Sequence, residues 1–128
     1  MTGTTLRTLR IVSGIVLLAV GLIHLFLVFD GVGGTLGVLF ILNAIAGVVL
    51  GVGVLAARGG LLRAALLLGL AFDVVSLLAL LLALTVGLFG ITEVWTFTLV
   101  PETVLIEAIG VVVLAITAGL GLRRTQTV

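Results

Sequence analysis

The stretch from Ala64 to Phe89 reads AALLLGLAFDVVSLLALLLALTVGLF, and one charged side chain, Asp73, interrupts it. About 20 apolar residues in helical form cross the ~30 Å hydrocarbon core of a bilayer. A run this long and this apolar is a membrane span. Backbone polar groups in lipid must be satisfied within their own segment, so the span is a helix. The alternating ~10-residue segments of a membrane barrel are absent.

Three similar runs surround it, from about Ile11 to Phe29, Thr35 to Ala57 and Pro101 to Leu122. The 128 residues are 62% hydrophobic and 9% charged, and mean hydropathy is +1.61. A soluble domain is about half apolar and about a quarter charged. The composition excludes both intrinsic disorder and an ordinary soluble fold. The length allows one domain, residues 1–128. With no cysteine there is no disulfide, thiolate metal site or thiol nucleophile. The first run follows basic residues, as in a signal peptide. It is longer than the usual ~7–15-residue apolar core and lacks an A-x-A-like site, so it reads as an uncleaved helix. The expected fold is an all-α, up-down four-helix transmembrane bundle.

The breaks between runs carry turn chemistry. Asp30-Gly31 and Gly33-Gly34 separate the first two, and Arg58-Gly59-Gly60 the next two. Gly87, Gly90 and Pro101 bracket the last connection, where Pro101-Glu102 marks a helix start. In an up-down path Arg7, Arg10, Arg58, Arg63, Arg123 and Arg124 all fall on one side. Asp30, Glu93 and Glu102 fall on the other. The positive-inside rule then puts both termini in the cytoplasm of a multi-pass cell-membrane protein. A net charge of +1 split this way speaks for topology, not nucleic-acid binding. The six arginines, with no lysine, form no cluster dense enough for a lipid-headgroup motif.

Small and polar residues mark the helix faces that meet. Steps of three and four keep residues on one side of a helix. Gly69, Asp73, Ser76, Ala83 and Gly87 make such a stripe through Leu80. Thr103, Glu107, Gly110, Thr117 and Gly121 make another through Leu114. Gly14, Gly21 and His24 share a face of the first span, and Asn43, Gly47 and Gly51 one of the second. Small residues let helices approach closely in lipid, where no hydrophobic force drives association.

The stripes hold every ionisable residue inside the membrane. At about 1.5 Å per residue, His24 and Glu107 lie ~9 Å below the outer end, Asn43 ~12 Å, and Asp73 ~15 Å from the inner end, near the midplane. His24, Asn43 and Glu107 are expected to meet in the outer half, with Asp73 and Ser76 beneath. A carboxylate at that depth costs several kcal/mol unless paired or protonated. These five residues are the candidate proton, ion or substrate site. For Asn43 and Ser76 the structural reading, a hydrogen bond that sets helix register, is preferred. For His24 and Glu107 both readings stand, and for Asp73 the functional one is preferred.

Other chemistry finds little support. One His and two carboxylates from three helices lack metal-ligand spacing, so no metal is expected. A lone His offers haem one axial ligand. No G-x-S-x-G frame accompanies Ser76, and the Gly31–Gly34 turn has no P-loop Lys. No catalytic residue and no cofactor is assigned. The loop from Phe89 to Val100 carries Glu93 and Trp95. It reads either as an interfacial anchor or as a lid over the outer mouth of the site.

Gly21-Leu22-Ile23-His24-Leu25, Gly37-Val38-Leu39-Phe40 and Thr85-Val86-Gly87-Leu88-Phe89-Gly90 with Glu93, Trp95 and Glu107 form a pattern. Together they resemble uncharacterised small four-span integral membrane proteins of actinobacteria and haloarchaea. The resemblance implies that His24, the Gly87–Trp95 segment and Glu107 belong together, and it carries over no activity. Phe89 departs from it, standing where that pattern has Pro.

Three functional readings follow. The first is a structural or accessory subunit with a buried polar cluster, its partners the lipid bilayer and either further copies of itself or a larger membrane complex. The second is a proton-coupled small transporter or ion pathway using His24, Asp73 and Glu107. Small multidrug transporters share the size and span number, but carry their essential acid in the first helix, where this chain has His24. The third is a membrane redox or quinone-binding protein, whose usual Cys pair or several His residues are missing.

Overall fold

The computed structural model describes residues 3–126, with side chains to Leu122. The chain forms four helices: α1 (Gly3–Phe29), α2 (Gly34–Ala56), α3 (Gly59–Thr85) and α4 (Val100–Gln126). All four are long and apolar enough to cross a membrane. α1 packs on α2, α2 on α3, α3 on α4 and α4 on α1, closing a ring. The protein is thus an all-α four-helix membrane protein.

The helices run past the apolar runs at the arginine-rich end, because helical hydrogen bonds do not stop at the hydrocarbon boundary. α1 starts at Gly3 and α3 at Gly59. Arg123 and Arg124 lie on the α4 backbone, and their side chains are outside the described set. At the other end α3 stops at Thr85, short of Phe89. Gly87, at φ 91°, turns the chain out and donates its N–H to the Leu82 carbonyl at 2.7 Å. Leu88 and Ile91 then exchange both backbone hydrogen bonds at 2.8 Å across Phe89 (φ 50°) and Gly90 (φ 77°). Positive φ at both central residues is the geometry of a type I′ turn. Proline, fixed near φ −65°, does not fit at position 89.

The closest helix pair is α1–α2, and glycine makes it so. A Cβ on Gly47 would stand 2.8 Å from the Gly21 Cα and 2.9 Å from the Leu17 carbonyl oxygen. One on Gly51 would meet the Gly14 carbonyl oxygen at 3.0 Å. The two backbones touch with no side chain between them. Arg10 clamps the end of this pair. Its Nε donates to the Val54 carbonyl at 2.6 Å, and Nη2 to Leu55 and Ala57 at 3.1 and 2.6 Å. One guanidinium so satisfies the orphan carbonyls that end α2 and opposes the negative end of its dipole. α1 and α4 are tied by Ser13 and Thr117, whose hydroxyls are 3.0 Å apart. Leu17, Val54, Ala65, Leu66, Leu114 and Ala118 fill the core toward the arginine end.

The stripes turn inward as the spacing implies. His24, Asp73, Thr103, Glu107 and Thr117 are buried polar residues, and Gly14, Gly21, Gly47, Gly51, Gly69 and Gly110 are buried with them. The opposite faces expose Ile15, Leu22, Val49, Leu68, Val75 and Val112. These are the lipid-facing surface, where apolar side chains have nothing to avoid.

Gly47→Ala is expected to cost about 1–3 kcal/mol, because backbone on both sides cannot yield to the added methyl. Gly119→Ala, where a Cβ meets nothing within 4 Å, is expected to be neutral or to gain up to about 1 kcal/mol from helix propensity. Melting temperatures of both variants in one detergent make the comparison. Equal stability of the Gly47→Ala variant and the parent would refute the backbone contact.

Candidate functional site: a buried carboxyl pair and a lateral groove

The five candidate residues divide into two sites, Asp73 and Glu107 between α3 and α4, and His24, Asn43 and Ser76 on the α2–α3 seam. Asp73 sits fourteen residues from Gly59 and twelve from Thr85, at the middle of α3. Its side chain faces α4, in space that Gly110 leaves open. A Cβ on Gly110 would collide with Asp73 Oδ2 and stand 2.5 Å from Val16 Cγ1. Glu107, one turn before Gly110 on the same face, lies within electrostatic range of Asp73. Both side chains are 0% exposed, and none of their four carboxyl oxygens has a hydrogen-bond partner. Elsewhere in the bundle most buried polar side-chain atoms are satisfied, as Ser13 and Thr117 are, so this pair is an exception to be explained.

His24 does not reach the pair. Its Nδ1–H donates to the Val20 carbonyl at 2.7 Å, since a carbonyl can only accept. Its ring meets Phe40 edge-on, with centroids 4.8 Å apart and planes at 79°. In the neutral imidazole this leaves Nε2 as an acceptor. Asn43 Nδ2 donates to Ser76 Oγ at 2.9 Å, joining α2 to α3, while Asn43 Oδ1 is buried without a partner. The expected meeting of His24, Asn43 and Glu107 is therefore corrected. Spacing along each helix gives depth and face, whereas the rotation of each helix decides partners: Glu107 interacts with Asp73 of α3, and His24 bonds to its own helix. Among the described residues no three metal-ligating side chains converge.

His24, Asn43 and Ser76 instead line a cavity of about 850 Å³ along the α2–α3 seam. It extends along α2 from Leu36 to Leu50, about 21 Å at 1.5 Å per residue. Leu42, Val49, Leu68 and Val75 line it and are also exposed on the lipid-facing surface, so the groove opens sideways to the bilayer. The tight α1–α2 contact leaves α2 and α3 splayed toward the end of the bundle away from the arginines.

The connecting loop roofs the groove through Leu88, Glu93 and Phe97. The Glu93 N–H donates to the Ala83 carbonyl at 2.8 Å and ties the roof to α3. Of the two residues expected in a lid, Glu93 lines the groove. Trp95, half exposed, does not. The Leu99 carbonyl receives both the N–H and the hydroxyl of Thr103, at 2.9 and 2.6 Å, and α4 begins at Val100, one residue before Pro101. Sequence reading missed the Ser13–Thr117 link and the Arg10 clamp. Ser13 stands in step with Leu17, Val20 and His24, so its face was readable. The clamp was not, because its acceptors are backbone atoms. Comparison with protein-family models, with curated proteins and with solved structures finds no match for this chain.

Gly110→Ala is expected to destabilise the protein by about 1–3 kcal/mol, and Asp73→Ala to relieve much of that cost by removing the carboxyl in the way. Thermal melts of the two single variants and the double variant would show coupling of about 1 kcal/mol or more. Additive effects would mean that the two residues do not share the space.

Proposed function

We propose that the protein is a small proton-coupled transporter of the cell membrane, both termini cytoplasmic, with the Asp73–Glu107 pair as its proton site. One observation carries this reading: two fully buried carboxyl groups on neighbouring helices lie within electrostatic range of each other, and neither has a hydrogen-bond partner among the described residues. A network that only sets helix register satisfies its own atoms. Two facing carboxylates in a medium of low dielectric cannot both carry charge, so the pair holds at least one proton. Ionisable groups within a span are expensive and mark proton or ion pathways.

The groove supplies a place for the transported solute. α3 separates the two sites, with Asp73 toward α4 and Ser76 on the groove. Three residues on a helix are about 60° apart around its axis. A roll of α3 by that angle exchanges what faces the groove, and loss of the pair's proton supplies a reason to roll. The groove's lateral opening and apolar walls suit an apolar or amphipathic solute entering from the bilayer. We include kinship with the four-span proteins of actinobacteria and haloarchaea, carried by His24, the Gly87–Trp95 segment and Glu107.

A second reading, a structural or accessory subunit, draws on the complete burial of the pair. In it Asp73 and Glu107 act on assembly alone. Reconstitution in liposomes with an entrapped pH dye and an imposed proton gradient separates the two. The proposal expects dye response above empty vesicles in the parent, falling to the empty-vesicle level in Asp73→Asn and Glu107→Gln while both variants elute and melt as the parent does. No response from the parent across a range of pH and amphipathic solutes would sink it. Altered elution or oligomeric state in both variants, with proton flux absent throughout, would favour the subunit reading.

A further inference from the structure

We propose that the cavity between the start of α1 and the α2–α3 turn binds the phosphate of an acidic phospholipid headgroup. Arg7 and Arg10 from α1 and Arg58 from the turn line one space of about 600 Å³, together with Leu55, Gly59 and Leu62. Arg7 and Arg58 are separated by fifty-one positions in the chain, so only the packing of α1 against the end of α2 unites them. No acidic residue lines the cavity. Asp73 lies fourteen residues along α3 from Gly59, about 20 Å away. Asp30, Glu93 and Glu102 stand at the opposite end of the bundle.

The three guanidiniums are differently engaged. Arg10 spends Nε and Nη2 on the carbonyls that end α2. That contact offsets the negative dipole end that would otherwise repel an anion. The side chains of Arg7 and Arg58 have no hydrogen-bond or ion-pair partner among the described residues. Two unspent planar donor forks at one site match phosphate oxygens in a way that no neutral headgroup matches.

The apolar part of the lining decides which phosphate. Ile11 and Leu55 also border the cavity, and both are exposed on the lipid-facing surface of their helices. Ile11 is the first residue of the apolar run in α1, and Ala56 ends α2. The cavity therefore sits at the boundary between hydrocarbon and water. A ligand filling it meets cations on the water side and Ile11, Leu55 and Leu62 on the hydrocarbon side. A headgroup phosphate with its attached glycerol and upper acyl carbons fits that arrangement. Free inorganic phosphate uses only half of it.

The test uses the full chain in a neutral detergent, with phosphatidylglycerol, phosphatidylcholine and inorganic phosphate as separate probes. Native mass spectrometry counts bound lipid, and melting temperature follows saturation. We expect one phosphatidylglycerol to bind saturably and raise the melting temperature, with phosphatidylcholine and phosphate inactive at the same concentration. Arg7→Ala/Arg58→Ala, at two exposed positions that leave the Arg10 clamp intact, should bind phosphatidylglycerol at least about tenfold more weakly, as expected for two cations near an anionic surface. Arg63→Ala, outside the cavity, should bind as the parent does. Unchanged affinity in the double variant, or an equal loss in Arg63→Ala, would overturn the site. Equal binding of phosphatidylcholine would overturn the role of charge, and equal binding of inorganic phosphate would overturn the lipid assignment. This proposal stands apart from the proton pair, since neither site contributes a residue to the other.

Discussion

Gly47 on α2 rests against Gly21 on α1 with nothing larger than hydrogen between their α-carbons, and the bundle is arranged around that contact. In lipid, helices gain nothing by hiding apolar surface from one another, so close approach and a few hydrogen bonds decide which helices pair. Gly14 and Gly21 on α1 with Gly47 and Gly51 on α2 draw those helices together, and Arg10 fixes their register at one end. α2 then cannot lie equally close to α3. The seam between them widens, away from the arginine end, into the groove that His24, Asn43 and Ser76 line. The same clamp brings Arg7 and Arg58 to one cavity at the other end.

The second organising feature is the space that Gly110 leaves for Asp73. A larger residue there would fill the α3–α4 interface and drive the carboxyl out. Glycine instead lets an acid at the middle of α3 stay inside, beside Val16 and within electrostatic range of Glu107. That arrangement is costly, because unpartnered polar atoms in a low-dielectric interior gain nothing to offset their lost hydration. The bundle sustains the cost with an apolar core toward the arginine end and hydroxyl and amide links between helices. An unsatisfied site inside an otherwise consistent structure is where function is to be sought.

Much of the fold was legible. Four apolar runs became four helices, and the stripes through Gly69–Asp73 and Thr103–Glu107–Gly110 turned inward. The burial of His24, Asp73 and Glu107 was legible for the same reason, since depth and face follow from rise and rotation along one helix. Pairing was not. His24 and Glu107 lie at similar depth, yet the first bonds to its own backbone at Val20 and the second faces Asp73. The relative rotation of two helices depends on every contact between them, and no spacing rule within one chain segment contains it. The loop shows the same limit, because the turn at Phe89-Gly90 takes positive φ at a bulky residue that local preference disfavours.

By itself, then, the sequence determined that this protein is solvated by lipid, that it crosses the bilayer as four helices, and which face of each helix avoids the lipid. Those properties depend on composition and periodicity, which the hydrocarbon core reads directly through its thickness and its lack of hydrogen-bonding partners. The tertiary structure alone decided which polar groups share a site. It joined Asp73 to Glu107, set His24 apart on a lateral groove, and gathered arginines from distant positions around one cavity. Each of those results depends on distances between helices, and these are set by where glycine allows two backbones to touch.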